Sequence, residues 1–154
     1  MLDWQTVFLI LSMIVIVIIV LLAFHRSKNG NTNRETPWLF WMGAFVWADA
    51  VILGIFWLMV LLVAIVFLND WLLIWLIYSV FWMVRAFGEI IYWLNEQFAS
   101  KHRNPPEKFW IYKIFPNESV WFVIQVYWQC LLVISIVSSV YLFALWLPML
   151  KMVQ

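Results

Sequence analysis

The chain has 154 residues, of which 67% are hydrophobic and only 11% are charged, whereas soluble domains are about 45–50% apolar and about 25% charged. This composition excludes an ordinary soluble domain and indicates an integral membrane protein. The formal net charge of +1 provides no basic field for nucleic acid, so we expect no nucleic-acid partner.

The first apolar run, Val7 to Phe24, contains eighteen residues without a charge, which is about the minimum length of a membrane span. The basic residues His25 and Arg26 follow this run, whereas the basic residues of a cleavable signal peptide precede its apolar part. We therefore predict a permanent transmembrane helix over residues 5–25.

The second apolar run follows Thr36 and Pro37, which suit a helix cap and a first helical turn. It predicts a helix over residues 38–68. The third run follows Asp70, which suits a helix N-cap, and predicts a helix over residues 71–100, before the sequence NPP prevents helix. The two-residue connection that ends at Asp70 predicts an antiparallel hairpin of these two helices.

The fourth apolar run predicts a helix over residues 119–147, with Pro148 as its expected end. We interpret Asn117, within an Asn-Glu-Ser pattern, as a cap for this helix rather than as a glycosylation site. Strand-type alternation is absent from the sequence, which excludes a transmembrane β-barrel. The prediction is an all-α membrane protein, a four-helix transmembrane bundle with short loops, in a single domain over residues 1–154.

The third connection, residues 101–118, contains EKFWIYKIF, which combines aromatic residues with Lys108 and Lys113. This combination predicts an interfacial amphipathic segment that contacts anionic lipid at the cytoplasmic face. Three tryptophans within the runs are interpreted as packing residues, with stacking of a quinone, carotenoid or lipid as the alternative: Trp57, Trp82 and Trp128. Others near the run ends are interpreted as anchors at the membrane interface: Trp4, Trp38, Trp41, Trp71, Trp93, Trp110, Trp121 and Trp146.

Basic residues indicate the orientation of the four helices. Seven of the eight lysines and arginines outside the spans lie in the first and third connections, residues 25–37 and 101–118. Because cytoplasmic loops carry an excess of these residues, both connections are predicted to be cytoplasmic and both termini extracytoplasmic. The expected location is the bacterial inner (plasma) membrane.

Polar side chains inside the apolar runs gather at one predicted depth. Because residues equally distant from the hairpin turn lie at similar depth, Asp49 lies level with Ile90, beside Glu89, and Arg85 lies about one turn deeper. On the fourth helix, Gln125 and Gln129 fall at comparable depth and share a face at i,i+4 spacing.

Tyr92 belongs to a polar stripe on the third helix whose other members are Tyr78, Arg85, Glu89 and Glu96. An arginine that faces lipid costs about 2.5–3.5 kcal/mol, so Arg85 is expected to face the bundle, with Glu89 as its nearest candidate partner and Asp49 as the next. One interpretation is an interhelical clasp that fixes the helix arrangement, including a form in which Arg85 reaches the near interface. The other is a binding site, or a proton or ion relay, that lines a polar cavity.

Enzymatic patterns are weak. His25 and His102 lie at cytoplasmic helix ends, where they are interpreted as exposed interfacial histidines, with a bis-histidine haem as the alternative. Motifs for metal ligands and nucleophiles such as HExxH and GxSxG are absent. The single cysteine, Cys130, is interpreted as a buried packing residue. We therefore predict no enzyme, no cofactor and no metal.

Two functions follow from these patterns. Carboxylates and glutamines at one depth favour an oligomeric channel or transporter for ions or protons, in which the polar stripe lines a shared path. The lack of a helix broken by Gly or Pro at the midplane favours the alternative, a noncatalytic assembly or accessory subunit of a larger membrane complex. The expected partners are the lipid bilayer and either further copies of the chain or another membrane protein. The candidate transport or binding residues are Asp49, Arg85, Glu89, Tyr92, Gln125 and Gln129.

Overall fold

The computed structural model describes residues 3–68 and 70–153. Its α-helices are α1 (Asp3–Arg26), α2 (Trp47–Val63), α3 (Trp71–Phe98) and α4 (Ser119–Val153). All four belong to segments long and apolar enough to span a membrane. The prediction of an all-α chain with four such helices is confirmed for these residues. Asn69, in the predicted two-residue turn, lies outside the described residues.

The predicted second helix, residues 38–68, is wrong at its start. A 3-10 helix, Pro37–Met42, ends at Gly43, whose φ of 79° is left-handed, and α2 begins only at Trp47. Glycine adopts this conformation without steric cost, so it ends the short helix and redirects the chain. The apolar sequence on both sides of Gly43 concealed this break.

The other helix boundaries lie closer to prediction. The ends of α1 and α3 differ from the predicted ranges 5–25 and 71–100 by at most two residues. Pro148 was predicted to end the fourth helix, but α4 continues through it to Val153. Proline removes a single backbone hydrogen bond, and a long apolar helix tolerates this loss where local adjustment satisfies the freed group.

The chain divides into two compact units. The first, Met1–Trp75, contains α1, α2 and the first turn of α3. The second, Leu76–Gln154, contains the rest of α3, the third connection and α4. The prediction of a single domain stays a prediction.

The first unit is built on α1 and α2, which run antiparallel. Their buried residues recur at steps of three, four or seven, which is the spacing of one helix face. A Cβ atom at Gly54 would lie 2.3 Å from Cγ2 of Val20, so glycine allows the two helices to approach closely at this point. The buried residues are Leu9, Ile16, Ile19 and Ala23 on α1, and Ala50, Gly54, Trp57 and Leu61 on α2.

Residues 36–45 leave the line of α2 and pack beside it; we call them the insert. The backbone N–H of Thr36 donates to the carbonyl of Phe45 at 2.7 Å and closes the base of the insert. Leu39 and Met42 are fully buried. The indole N–H of Trp57, in the middle of α2, donates to the carbonyl of Met42 at 3.1 Å. The insert therefore lies against the side of α2 and does not extend it.

In the second unit, hydrogen bonds join α3 to α4. Ser79 Oγ donates to the carbonyl of Ser135 at 3.0 Å, and Ser139 Oγ donates to Ser79 Oγ at 3.0 Å. Further along, the side-chain amide of Gln97 donates to Gln125 Oε1. Residue numbers rise along α3 as they fall along α4, so the two helices form an antiparallel hairpin.

The outer side of α4 carries Cys130, which is exposed. The prediction of a buried cysteine is therefore wrong. Two positions earlier, Trp128 is buried at 5% exposure. Two residues advance a helix by about 200°, so Cys130 faces away from the side on which Trp128 packs.

The third connection contains two 3-10 turns, Pro106–Lys108 and Trp110–Lys113. Trp110 is 74% exposed and Ile114 is 60% exposed, and both lysines are exposed beside them. Phe109 instead packs inward against Trp93, with ring centroids 5.5 Å apart. Exposed apolar side chains beside exposed lysines are what an amphipathic interfacial segment requires, and its contact with lipid stays a prediction.

Candidate functional site

Arg85 and Glu89 form an ion pair along one side of α3. Arg85 Nη2 lies 3.1 Å from Glu89 Oε1, and the indole N–H of Trp93 donates to Glu89 Oε2 at 3.2 Å. Steps of four residues bring these three side chains together on the helix surface. The arginine side chain is 27% exposed and that of the glutamate 14%, so the pair is mostly enclosed. The prediction that Glu89 is a partner of Arg85 is confirmed.

A second polar cluster joins the end of α3 to the third connection and to α4; we call it the Asn104 clasp. The backbone N–H of Asn104 donates to Glu96 Oε1 at 2.8 Å, and its side-chain amide donates to the hydroxyl of Tyr92. The carbonyl of Asn104 accepts the indole N–H of Trp121 at 2.9 Å. The ring of His102 lies against that indole, with ring centroids 4.1 Å apart.

Glu96 is the acidic member of the clasp, and it is only 4% exposed. Burial of a carboxylate is costly unless hydrogen bonds replace its water. Here its carboxylate accepts the N–H of Asn104, while its own carbonyl accepts a hydrogen bond from His102 Nδ1 at 3.0 Å. Glu96 therefore binds the loop through both its side chain and its backbone, and fixes the point at which the chain leaves α3.

Tyr92 is among the predicted site residues, whereas Glu96, His102 and Asn104 are not. The sequence contains a signal for two of these three residues. Glu96 continues the polar stripe of α3, and Asn104 precedes proline, which holds it in an extended conformation outside any helix. Its backbone groups are then free to bind side chains.

Two tryptophans predicted as interface anchors are instead buried at the site. Trp93 is 8% exposed and Trp121 is 1% exposed. Both donate their indole N–H groups within the chain, to Glu89 and to the carbonyl of Asn104. A buried indole requires such an acceptor, so polar partners in the chain explain why these two rings point inward.

Gln125 and Gln129, which were predicted to share a face, lie in different surroundings. Gln125 is 9% exposed and accepts a hydrogen bond from Gln97 inside the hairpin. Gln129 is exposed, and its amide has no hydrogen-bond partner among residues 3–68 and 70–153. Four residues advance a helix about 40° beyond a full turn, which moves Gln129 from the inner side toward the outside.

Asp49 lies in the first unit, in the first turn of α2. Its Oδ2 accepts the backbone N–H of Phe45 at 3.2 Å and so ties the end of the insert to the helix. A carboxylate at this position also interacts favourably with the positive end of the helix dipole. Its predicted pairing with Arg85 would join the two units and stays a prediction.

The chemistry of these groups is ion pairing and hydrogen bonding. In the described part of the chain, no group of three or more His, Cys, Asp or Glu side chains is arranged to hold a metal ion. The chain matches no family model, no curated protein and no solved structure. The interpretation of the site therefore depends on its geometry.

Proposed function

We propose that the chain is an integral protein of a bacterial plasma membrane with four crossings, cytoplasmic first and third connections, and extracytoplasmic termini. The four apolar helices and the distribution of lysine and arginine support this arrangement. Exposed Trp110 and Ile114, beside Lys108 and Lys113, support contact of the third connection with anionic lipid at the cytoplasmic face.

In that membrane the proposed task is noncatalytic assembly, as an accessory subunit that binds other membrane proteins. The internal use of charge carries this proposal. Glu89 binds Arg85 with one oxygen and Trp93 with the other, and Glu96 is enclosed in the Asn104 clasp. Ionic groups whose partners lie inside the same chain are already satisfied there, and such groups often have a structural role without performing chemistry.

The outward faces of the helices provide the surface for partners. Only 6% of the residues in the most apolar stretch of α4 are buried, against 28% for the corresponding stretch of α2. An apolar helix with so little burial in its own chain is covered by lipid or by further helices. This exposure supports a role in which α4 contacts another protein.

Ion or proton transport is the second candidate, and the serine cluster favours it. Ser79, Ser135 and Ser139 carry hydroxyl groups into the interior of the α3–α4 hairpin, and the Gln97–Gln125 pair lies between the same two helices further along. Hydroxyl and amide groups are among the elements that line selective paths through membranes. In an oligomer, the hairpins of several copies would together enclose such a path.

Flux measurements distinguish the two functions. Vesicles that contain the purified chain are loaded with a pH-sensitive or cation-sensitive dye and exposed to ion gradients and membrane potentials. Under the assembly proposal, flux does not exceed that of protein-free vesicles. Flux that Ser79→Ala abolishes would contradict this proposal and favour transport. Ser138→Ala is the matched control, because Ser138 lies beside Ser139 on the same helix but outside the serine cluster.

Purification of the chain with its partners tests the assembly proposal directly. A tagged chain, extracted from native membranes in mild detergent, should copurify with a defined membrane protein in a fixed ratio. The variant Val133→Trp places a bulky ring on the exposed side of α4, where Val133 is 60% exposed, and should weaken this association. A chain recovered alone from native membranes, without partner protein or further copies, would contradict the proposal.

A further inference from the structure

Of the two glutamines in α4, only Gln129 is exposed. It lies ten residues after Ser119, or about 15 Å along the helix, which is inside a hydrocarbon layer about 30 Å thick. Its amide has no hydrogen-bond partner in the described part of the chain. Because lipid tails offer neither donor nor acceptor, an amide at this depth is strongly favoured to bind another protein group.

Gln129 belongs to a series of exposed residues that recur at alternating steps of four and three; we call it the outer stripe. This is the heptad spacing at which two helices pack along each other, and Gln129 occupies one of its core positions. Exposure alone does not distinguish this face, because most of α4 is exposed. The amide of Gln129 distinguishes it from the other exposed faces. The outer stripe consists of Phe122, Val126, Gln129, Val133, Ile136, Val140, Phe143 and Leu147.

We propose that the outer stripe is the contact surface for a second copy of the chain, and that Gln129 of one copy hydrogen-bonds to Gln129 of the other. Copies in one membrane share their orientation, so the two-fold axis that relates them runs along the membrane normal and makes the two α4 helices parallel. Each residue of the outer stripe then faces its own counterpart. A carboxamide both donates and accepts, so Gln129 complements itself.

The composition of the outer stripe fits this contact. Four of its members are valine or isoleucine, whose stiff side chains pack with little loss of rotamer freedom. A single polar residue at a heptad core position fixes the register and the number of helices in the assembly. The inference rests on the proposed membrane crossing, and it names a first partner for the proposed assembly function.

Disulfide mapping tests the surface. The native cysteine is removed with Cys130→Ser, and single cysteines replace Val133 or Ile136 on the outer stripe, and Ile134 or Val137 beside it. Val133 and Ile134 are matched in exposure, at 60% and 61%. The purified variants are oxidised in lipid vesicles, and the disulfide-linked dimer is measured on gels. We expect dimer at positions 133 and 136. Equal or greater yields at 134 and 137 would overturn the proposed surface.

The amide is tested by resonance energy transfer between labelled copies in vesicles. Gln129→Leu should weaken dimerisation roughly 3- to 30-fold, the range for one interhelical hydrogen bond in a membrane. Gln129→Asn keeps the carboxamide and should recover part of this loss. Cys130→Leu makes a comparable apolar change beside the outer stripe and should leave dimerisation unchanged. A dimerisation constant that Gln129→Leu does not alter would overturn the proposed hydrogen bond.

Alkaline extraction of membranes separates failure of this inference from failure of the membrane proposal. Release of the chain from membranes would contradict both. A chain that resists extraction but stays monomeric in vesicles contradicts only the second-copy contact. Cross-linking of the position 133 variant to a different protein in native membranes, without dimer, would also overturn that contact while leaving the assembly proposal intact.

Discussion

Glu89 binds Arg85 four residues before it and Trp93 four residues after it, and Glu96 binds the backbone of Asn104 eight residues further along the chain. The charged side chains of α3 therefore have partners close in sequence. Contacts this local need little loop closure, so they form as soon as the helix and its connection form. Pairing at short range removes the cost of an isolated charge in an apolar helix.

Arg85→Ala should destabilise the chain by about 1–3 kcal/mol, because it leaves the mostly enclosed Glu89 without its cation. Arg85→Lys keeps the charge but loses the planar fork, and should be partly tolerated. The combined change of Arg85 and Glu89 to alanine should recover part of this stability, because removal of both members of an ion pair is often nearly neutral, whereas the indole N–H of Trp93 loses its acceptor. Unfolding in mixed detergent micelles, followed by circular dichroism, measures each value. A double variant less stable than Arg85→Ala would contradict the structural role of the ion pair.

Glu96→Ala should destabilise the Asn104 clasp by about 1–3 kcal/mol, since the backbone N–H of Asn104 loses its acceptor. Glu96→Gln retains a carbonyl oxygen at the same place and should cost less. Glu107→Ala is the control, because Glu107 is an exposed acid of the third connection. Loosening of the Asn104 clasp is measured as a higher rate of protease cleavage in this connection. Equal cleavage rates for the three variants would contradict the structural role of Glu96 in the clasp.

Helical periodicity predicted the elements and the local ion pair, but it did not predict what crosses between elements. The Arg85–Glu89 pair follows from i,i+4 spacing alone. The Asn104 clasp depends on the path of a loop, and spacing within a helix carries no information on that path. The insert was missed for a related reason, since most of its residues are apolar, as in α2, and no polar or charged segment separates the two at Gly43.

At the scale of the helices, Gly54 should be intolerant of any side chain. Gly54→Ala would place a Cβ atom 2.3 Å from Val20 Cγ2, and overpacking of this kind costs about 1–3 kcal/mol. Val20→Ala should rescue the variant by removing the overlapping methyl group. Both effects are measured as free energies of unfolding in mixed micelles.

Gly88→Ala is the matched control for Gly54→Ala. Gly88 lies inside α3, and a Cβ there would meet no atom within 4 Å. The same substitution should therefore stabilise the chain by up to about 1 kcal/mol through helix propensity. If Gly54→Ala were as stable as Gly88→Ala, close approach of α1 and α2 at Gly54 would be ruled out.

For the whole molecule, the proposed orientation in the membrane rests on the lysines and arginines of the first and third connections. In a Cys130→Ser background, single cysteines at Asn33 and Ser100 should react with a membrane-impermeant maleimide only after the cells are opened. A cysteine at Asp3 should react in intact cells. All three native side chains are exposed, so access to the reagent depends on the side of the membrane. Reaction of position 33 in intact cells would reverse the proposed orientation.

The insert also bears on the order in which the first unit matures. Insertion into a membrane responds to hydrophobicity along the sequence, so the insert and α2 are presented together as one apolar run. The insert, however, packs where two helices meet. Met42 Cε of the insert and Ile16 Cγ2 of α1 lie 3.6 and 3.8 Å from the position that a Cβ atom at Gly54 of α2 would occupy. This packing surface exists only once α1 and α2 have paired. We therefore expect docking of the insert to be a late step of biogenesis that follows helix pairing, and newly made chains to pass through a stage in which its aromatic rings face lipid.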